Sequence, residues 1–310
     1  MSRDPGRRFL VFRLPGLFMN ILSLEGGGIR GIMQATILSA LPNARFDLIA
    51  GTSVGSIVGG CRALGIDPLP FFTKYAQDVF SGQWWVPVPR LWSAAKYSDA
   101  GLKTALQDVV GSATLADCKI PFIATAFEMK TGRLAYFQSY GSSSTTYNEI
   151  VIGPDSHMPM VDVMMSSSAA QSYFPGHVWG AYLFWDGGST GLNAPDMLAL
   201  TEARQLFGMA EPFKMLSLGN GKTPWPYAGK DMTNPSIATV LQATIDIAYS
   251  GPEDAMVWLA AQELGKQHYR LDPAIADYAI DATDPGTLAA MQGAARACMA
   301  ANPESIAAFA

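Results

Sequence analysis

The sequence predicts an α/β protein built on a mostly parallel sheet. Two strand–turn–helix units follow one another near its start, apolar residues are abundant, and charge is scarce. In the first unit a short apolar strand over 20–24 ends at Gly26-Gly27-Gly28, with Gly31 beyond, and a helix over 32–41 stops at Pro42. In the second, a strand over 46–50 meets Gly51-Thr52-Ser53-Val54-Gly55 and a small-residue helix over 56–64. Successive units of this kind favour parallel strands joined by crossover helices. Hydrophobic residues make up 49% of the 310-residue chain and charged residues 15%. That balance suits a sheet covered on both faces; it also suits a protein that works against lipid.

The other elements follow in order. Residues 66–98 hold Pro68, Pro70, Pro87 and Pro89 with Phe71, Phe72, Phe80, Trp84, Trp85 and Trp92, and read as an insertion or cap. A helix is expected over 101–111, then strands over 120–127 and 134–138 joined at Lys130-Thr131-Gly132 as a hairpin. The Ser/Thr-rich stretch 141–146 reads as a surface loop. A helix over 161–170 precedes a strand over 182–185 that delivers Asp186-Gly187-Gly188, and a short strand covers 216–218. From about 237 the pattern is mostly helical, with breaks at Pro252, Pro273 and Pro285. No internal repeat is present. Residues 1–18 read as a short extension and 19–310 as one domain, with the motifs in about 19–220 and a mostly helical part over 221–310.

Charge and composition exclude several functions. A net charge of −5 with no basic run argues against nucleic acid, because phosphate binding needs clustered Lys or Arg. Cys61, Cys118 and Cys298 are odd in number and far apart, which argues against a disulfide framework and suits a reducing compartment. His157, His177 and His268 are too scattered for a metal site, so neither metal nor cofactor is expected. Arg3, Arg7 and Arg8 ahead of Phe9-Leu10-Val11-Phe12 imitate a signal peptide. Arg13 and Pro15 interrupt the run, however, and no small-residue cleavage site follows. A cytoplasmic location is favoured over secretion, and translation from Met19 is an alternative to Met1. No stretch approaches the roughly 18–20 apolar residues of a membrane span, so membrane contact would be peripheral.

Gly51-Thr52-Ser53-Val54-Gly55 is a G-x-S-x-G between a strand and a helix, the setting of a nucleophile elbow. Its serine sits at a sharp turn, its glycines admit neighbouring chain, and the helix behind it aims its positive end at the site. Gly26-Gly27-Gly28-Ile29-Arg30-Gly31 also fits the dinucleotide pattern G-x-G-x-x-G. That reading wants an acid about 20 residues on, at the end of the second strand. Asp47 has the spacing but lies at the start of its strand. Glycine N–H groups that receive an oxyanion are therefore the favoured reading.

Glu25-Gly26-Gly27-Gly28-Ile29-Arg30-Gly31, Gly51-Thr52-Ser53-Val54-Gly55 and Asp186-Gly187-Gly188 resemble, in order and spacing, the three motifs of patatin-like phospholipases. Ser167-Ser168-Ala169-Ala170-Gln171-Ser172-Tyr173-Phe174-Pro175 is similar to that family's segment before an aromatic–proline pair. The resemblance covers about 19–190 and becomes general beyond 220. It implies a three-layer α/β/α fold and a Ser–Asp dyad, Ser53 as nucleophile and Asp186 as proton acceptor, without a catalytic histidine. It also implies Gly26, Gly27 and Gly28 as the oxyanion hole, with Arg30, Gly31, Gly51, Gly55, Gly187 and Gly188 as motif support. Plant patatins tend to have Asp where this chain has Glu25, a departure expected to matter little. His177, nine residues before Asp186, is the rival for a conventional triad.

The implied activity is hydrolysis of carboxylic esters in phospholipids or lysophospholipids, with a lipid ester as partner. An acyltransferase on the same fold and a non-catalytic lipid-binding or storage protein are the alternatives. An activating partner or small ligand is left open. Arg30 would either bind a phosphate headgroup or brace the glycine loop, the second being favoured. Phe80, Trp84, Trp85 and Trp92 would form an interfacial anchor or pack the cap, with neither preferred.

Overall fold

The computed structural model describes residues 17–80 and 95–310. The signal-like segment and Trp84, Trp85 and Trp92 lie outside the described residues. In chain order, β1 (Met19–Leu24) leads to α1 (Gly31–Ser39) and β2 (Leu48–Thr52) to α2 (Val54–Leu64), followed by α3 (Leu69–Val79) and α4 (Ala100–Val110). β3 (Phe122–Glu128) and β4 (Arg133–Gln138) form the expected hairpin, before β5 (Ser144–Thr145), β6 (Glu149–Ile152) and α5 (Met160–Ser167). β7 (His177–Trp179) and β8 (Tyr182–Asp186) form a second hairpin. Then come α6 (Asp196–Phe207), β9 (Phe213–Leu218), α7 (Ile237–Leu264), β10 (His268–Leu271), α8 (Pro285–Ala301) and α9 (Pro303–Ala307).

The strands lie in the order β10-β9-β1-β2-β3-β4-β6-β5. The first five are mutually parallel, and the hairpin partner β4 runs against them. Side chains alternate between two cores, as strand geometry requires. Leu22, Leu24, Ile49, Leu216 and Leu218 face one core, with residues of α1, α2, α3, α4, α5 and α8. Ile21, Leu48, Ala50 and Met215 face the other, with Ala199, Leu200 and Ala203 of α6. Helices on both faces of a sheet explain the low charge of the sequence: the central strands have no wet side. The fold is a three-layer α/β/α sandwich.

One edge of β3 is shared by two strands. β2 pairs along it in parallel as far as Thr52↔Thr125. β8 pairs in the opposite direction from Glu128↔Phe184 down to Ala126↔Asp186. β4 occupies the other edge throughout. The ends of β2 and β8 therefore meet head to head, and the residues there are Ser53 and Asp186.

Several boundaries differ from those expected. The second strand begins at Leu48 rather than Phe46. Asp47 turns the chain into the sheet, exchanging Asn20 N–H to Asp47 Oδ2 and Asp47 N–H to Asn20 carbonyl at 2.7 Å each. Pro252 does not break the C-terminal helix, since α7 continues through it. Pro285 opens α8 instead of interrupting it, because a first-turn proline loses no helical hydrogen bond. β10 was not foreseen. It is held by a buried polar tie, with Ser23 Oγ donating to Asp196 Oδ1 at 2.5 Å and His268 Nε2 2.8 Å from Asp196 Oδ2. This ties β1, α6 and β10 together and gives His268 a structural place.

Candidate active site

Ser53 stands between β2 and α2 with φ 54° and ψ −126°, a region that a residue with a Cβ enters only under constraint. The constraint comes from both sides of the turn. A side chain at Gly51 would collide with the Gly55 carbonyl, and one at Gly55 with the Leu24 carbonyl. These glycines let α2 cross the ends of β1 and β2 at backbone distance. Thr52 Oγ1 donates to the Leu192 carbonyl at 2.6 Å, and Ser53 N–H donates to Ser167 Oγ at 3.0 Å. The positive end of α2 lies at Ser53.

The structure brings Ser53 and Asp186 together. Ser53 Oγ donates to Asp186 Oδ2 at 2.6 Å, and Asp186 Oδ1 accepts Gly188 N–H at 2.6 Å. Asp186 N–H donates to the Ala169 carbonyl at 3.1 Å. Gly187 lies on Thr125, where a side chain would meet Thr125 Oγ1. The segment 167–169 thus braces both halves of the pair. Asp186 is 4% exposed. Burial pushes its carboxyl up to about 6, against the opposing hydrogen bonds from Ser53 and Gly188. A base raised in this way holds a proton more readily than an ordinary carboxylate while remaining ionised near neutrality.

The glycine loop needs a correction. Gly26 N–H already donates to the Asn193 carbonyl at 3.1 Å, so it is not a free oxyanion donor. Gly27 and Gly28 N–H have no acceptor among the described residues. Gly28 has φ +59° and lies against the Ile280 carbonyl, so a side chain there is excluded twice. Gly31 starts α1 against Val54 and Phe72. Arg30 donates to the Tyr278 carbonyl from Nε at 3.1 Å and again from its guanidinium. These bonds brace the loop, and the side chain also lines the cavity that opens over Ser53 and Asp186. Glu25 is a further support of the loop. Buried beneath the loop, it accepts from Arg270 at 2.9 Å and from Asn220 N–H at 3.0 Å. Burial pushes its carboxyl well up, against the pull of Arg270.

His177 lies elsewhere, its Nε2 3.0 Å from Asp162 Oδ1, and does not contact Ser53. Among the described residues, no group of three His, Cys, Asp or Glu is placed to hold a metal ion.

A cavity of about 1030 Å³ opens over Ser53 and Asp186. Its apolar wall comes from Ile57, Phe71, Phe72, Val79, Phe80, Leu102 and Phe174. Asn220, Lys222, Asp246, Glu253 and Asp254 also line the cavity. The stretch read as a cap thus supplies α3, whose Phe71 and Phe72 form that apolar wall. Phe80 packs on Tyr97 and Phe174 at ring-centroid distances of 5.5 and 5.8 Å, the packing alternative for this residue. Sequence reasoning missed Asn193, Asn220 and Arg270, and gave no role to Ser167, although it opens the segment that resembles the family's. Of these, Asn220 had a visible signal, its place two residues past an expected strand end.

A family model described as patatin-like phospholipase matches residues 22–199. The chain is 27% identical over 273 residues to the cGAMP-activated phospholipase of Pseudomonas aeruginosa, covering 82% of this chain and 78% of that protein. It is 27% identical over 257 residues to Patatin-like protein 1 of Arabidopsis thaliana, covering 67% and 60%. It is 27% identical over 285 residues to the calcium-independent phospholipase A2-gamma of Mus musculus, covering 84% and 36%. The chain thus spans less than two thirds of the plant and mouse relatives.

Proposed function

The chain belongs to the patatin-like phospholipase family, and on that premise we propose that it is a serine lipid acyl hydrolase working through Ser53 and Asp186. The observation that carries this reading is the 2.6 Å hydrogen bond from Ser53 Oγ to a buried carboxyl raised to about 6. Ser53 Oγ attacks the ester carbonyl as its proton passes to Asp186 Oδ2. The carbonyl oxygen, now an oxyanion, receives Gly27 and Gly28 N–H. The C–O bond to the alcohol breaks, and the alcohol leaves with the proton from Asp186. Water then attacks the acyl-enzyme, giving a proton to Asp186 that returns to Ser53 as the fatty acid departs. The apolar wall of the cavity holds the acyl chain. Phospholipids or lysophospholipids are the proposed substrates.

A fluorophosphonate probe and a lipid panel test this together. The wild type is expected to be labelled and to release fatty acid, and Ser53→Ala to do neither. Labelling of Ser53→Ala equal to wild type would remove Ser53 as the nucleophile. The Pseudomonas relative is named for activation by cGAMP, so the panel is run with and without that ligand. A rise in rate would extend such activation to this chain, and an unchanged rate would confine it to the relative.

A further inference from the structure

The chain between β10 and α8, residues 272–284, forms no helix or strand, yet it is pinned along its length. At its start Lys222 N–H donates to the Pro273 carbonyl at 2.9 Å, and Ile275 N–H to the Lys222 carbonyl at 3.3 Å. At its end Asp284 caps α8, its Oδ1 accepting Thr287 N–H at 2.9 Å. Between these anchors it meets the glycine loop. The Ile280 carbonyl accepts Ile29 N–H at 2.8 Å. The Tyr278 carbonyl accepts Arg30 Nε at 3.1 Å and a second bond from the same guanidinium. Ile280 also lies where a side chain on Gly28 would go. Backbone carbonyls make these contacts, so their aim depends on the path of the chain.

That path is fixed at Asp281. Its side chain, 8% exposed, lies 2.5 Å from Lys96 Nζ and accepts the Tyr97 hydroxyl at 2.8 Å. Bonds of this kind, with a charged partner, are the strong ones. Lys96 N–H in turn donates to the Ser172 carbonyl and Tyr97 N–H to the Tyr173 carbonyl, both at 2.8 Å. A few residues earlier, the same segment holds Ser53 N–H through Ser167 and Asp186 N–H through Ala169. One carboxylate thus joins the stretch that braces the Ser–Asp pair to the stretch that meets the glycine loop.

We propose that residues 278–281 are a strap that positions the oxyanion loop, with Asp281 as its latch. The inference rests on the hydrolase reading for what the loop receives. Gly27 and Gly28, the two donors, stand between fixed points. Before them, Gly26 is held by Asn193, whose carbonyl takes its N–H at 3.1 Å and whose Nδ2 donates to its carbonyl at 3.2 Å. After them, Ile29 and Arg30 are held by the strap. The left-handed turn at Gly28 lies between the two holds, and its setting aims both N–H groups. Asp281 is outside the cavity lining and acts through the strap, as a positioning residue. A displacement of about 1 Å at the donors is enough to slow the reaction about a hundredfold.

The test compares the full chain with Asp281→Ala and with Tyr97→Phe, which takes one hydroxyl from the latch. Three quantities are measured: kcat and KM on a soluble short-chain nitrophenyl ester, hydrogen exchange of the peptide covering residues 26–31, and the melting temperature. In Asp281→Ala, kcat is expected to fall about ten- to a hundredfold with KM within about twofold, as when a transition-state interaction is weakened. Exchange in the loop should quicken at least about tenfold, because hydrogen bonds to a charged group no longer hold the strap. Tyr97→Phe should move both in the same direction and by less. A latch that only stabilises the fold would lower the melting temperature and leave kcat of the folded protein unchanged, and that result would overturn the proposal. So would unchanged loop exchange in a folded Asp281→Ala. If that variant does not fold, Tyr97→Phe decides by the same two readings. A wild type that neither hydrolyses the ester nor takes the fluorophosphonate would sink the hydrolase reading, while exchange in the loop would still show whether the strap holds it.

Discussion

Asp186 is asked to be both buried and ionised. Its carboxyl rises to about 6 through desolvation, with the hydrogen bonds from Ser53 and Gly188 pulling the other way. Only the ionised form can accept the Ser53 proton, so hydrolysis of a soluble ester should climb with pH to a plateau above about 6. A rate independent of pH from 4 to 8 would deny Asp186 that role. The same shift has a stability sign. The folded pKa is above the unfolded one, so the native state holds the proton more tightly. For this group stability is full below about pH 4, and roughly 3 kcal/mol is lost as pH rises to about 6 and beyond. Asp186→Asn should therefore melt higher than wild type at pH 8, with the gain absent at pH 4, while activity falls at least about a hundredfold. Ser53 was legible in the sequence because a strained elbow leaves a trace in composition, glycines two residues to either side. Asp186 left no such trace, since Asp-Gly also describes an ordinary turn, and it was legible only through the family resemblance. The pairing of Glu25 with Arg270 was not legible, because the two lie 245 residues apart and carry no local signal.

At the scale of elements, the sequence showed the inner strands well and the helix that walls the cavity poorly. β1, β2, β3 and β9 are apolar on both faces, a pattern only a covered sheet explains. α7 was expected to break at Pro252, yet the helix continues through it. The ring of Pro252 lies beside Gly191, on the turn that follows Asp186. Proline still removes one backbone hydrogen bond, so Pro252→Ala should stabilise the chain by up to about 3 kcal/mol. Chemical denaturation would read this as a raised midpoint with unchanged slope. A lowered midpoint would mean that the ring's contact with the Gly191 turn outweighs the missing bond. The cap region was recognised as distinct, but its helix α3 and its part in the cavity depend on contacts with α1 and α4 that no local pattern reveals.

For the whole molecule, we propose that residues 19–310 fold as one domain. β10 completes the parallel sheet beside β9, α8 packs on α1, and Arg270 supplies the charge that answers Glu25 under the glycine loop. Ending the chain after residue 264 would leave Glu25 buried without its cation, a loss of about 3–5 kcal/mol before any packing is counted. The truncated chain should be insoluble or unlabelled by the fluorophosphonate. A soluble, labelled product would instead mark the C-terminal part as dispensable.

The head-to-head meeting of β2 and β8 along β3 bears on the order in which activity is acquired. Ser53 reaches its place once β2 joins β3, whereas Asp186 arrives with a strand begun 129 residues later in the chain. One step along β3 is about 3.3 Å, so a single-residue slip of β8 separates the pair beyond hydrogen-bond reach. A chain leaving the ribosome therefore holds the turn of β2 and α2 before the acid that Ser53 faces has been made. On the hydrolase reading, the acid's late arrival is a delay written into the strand order.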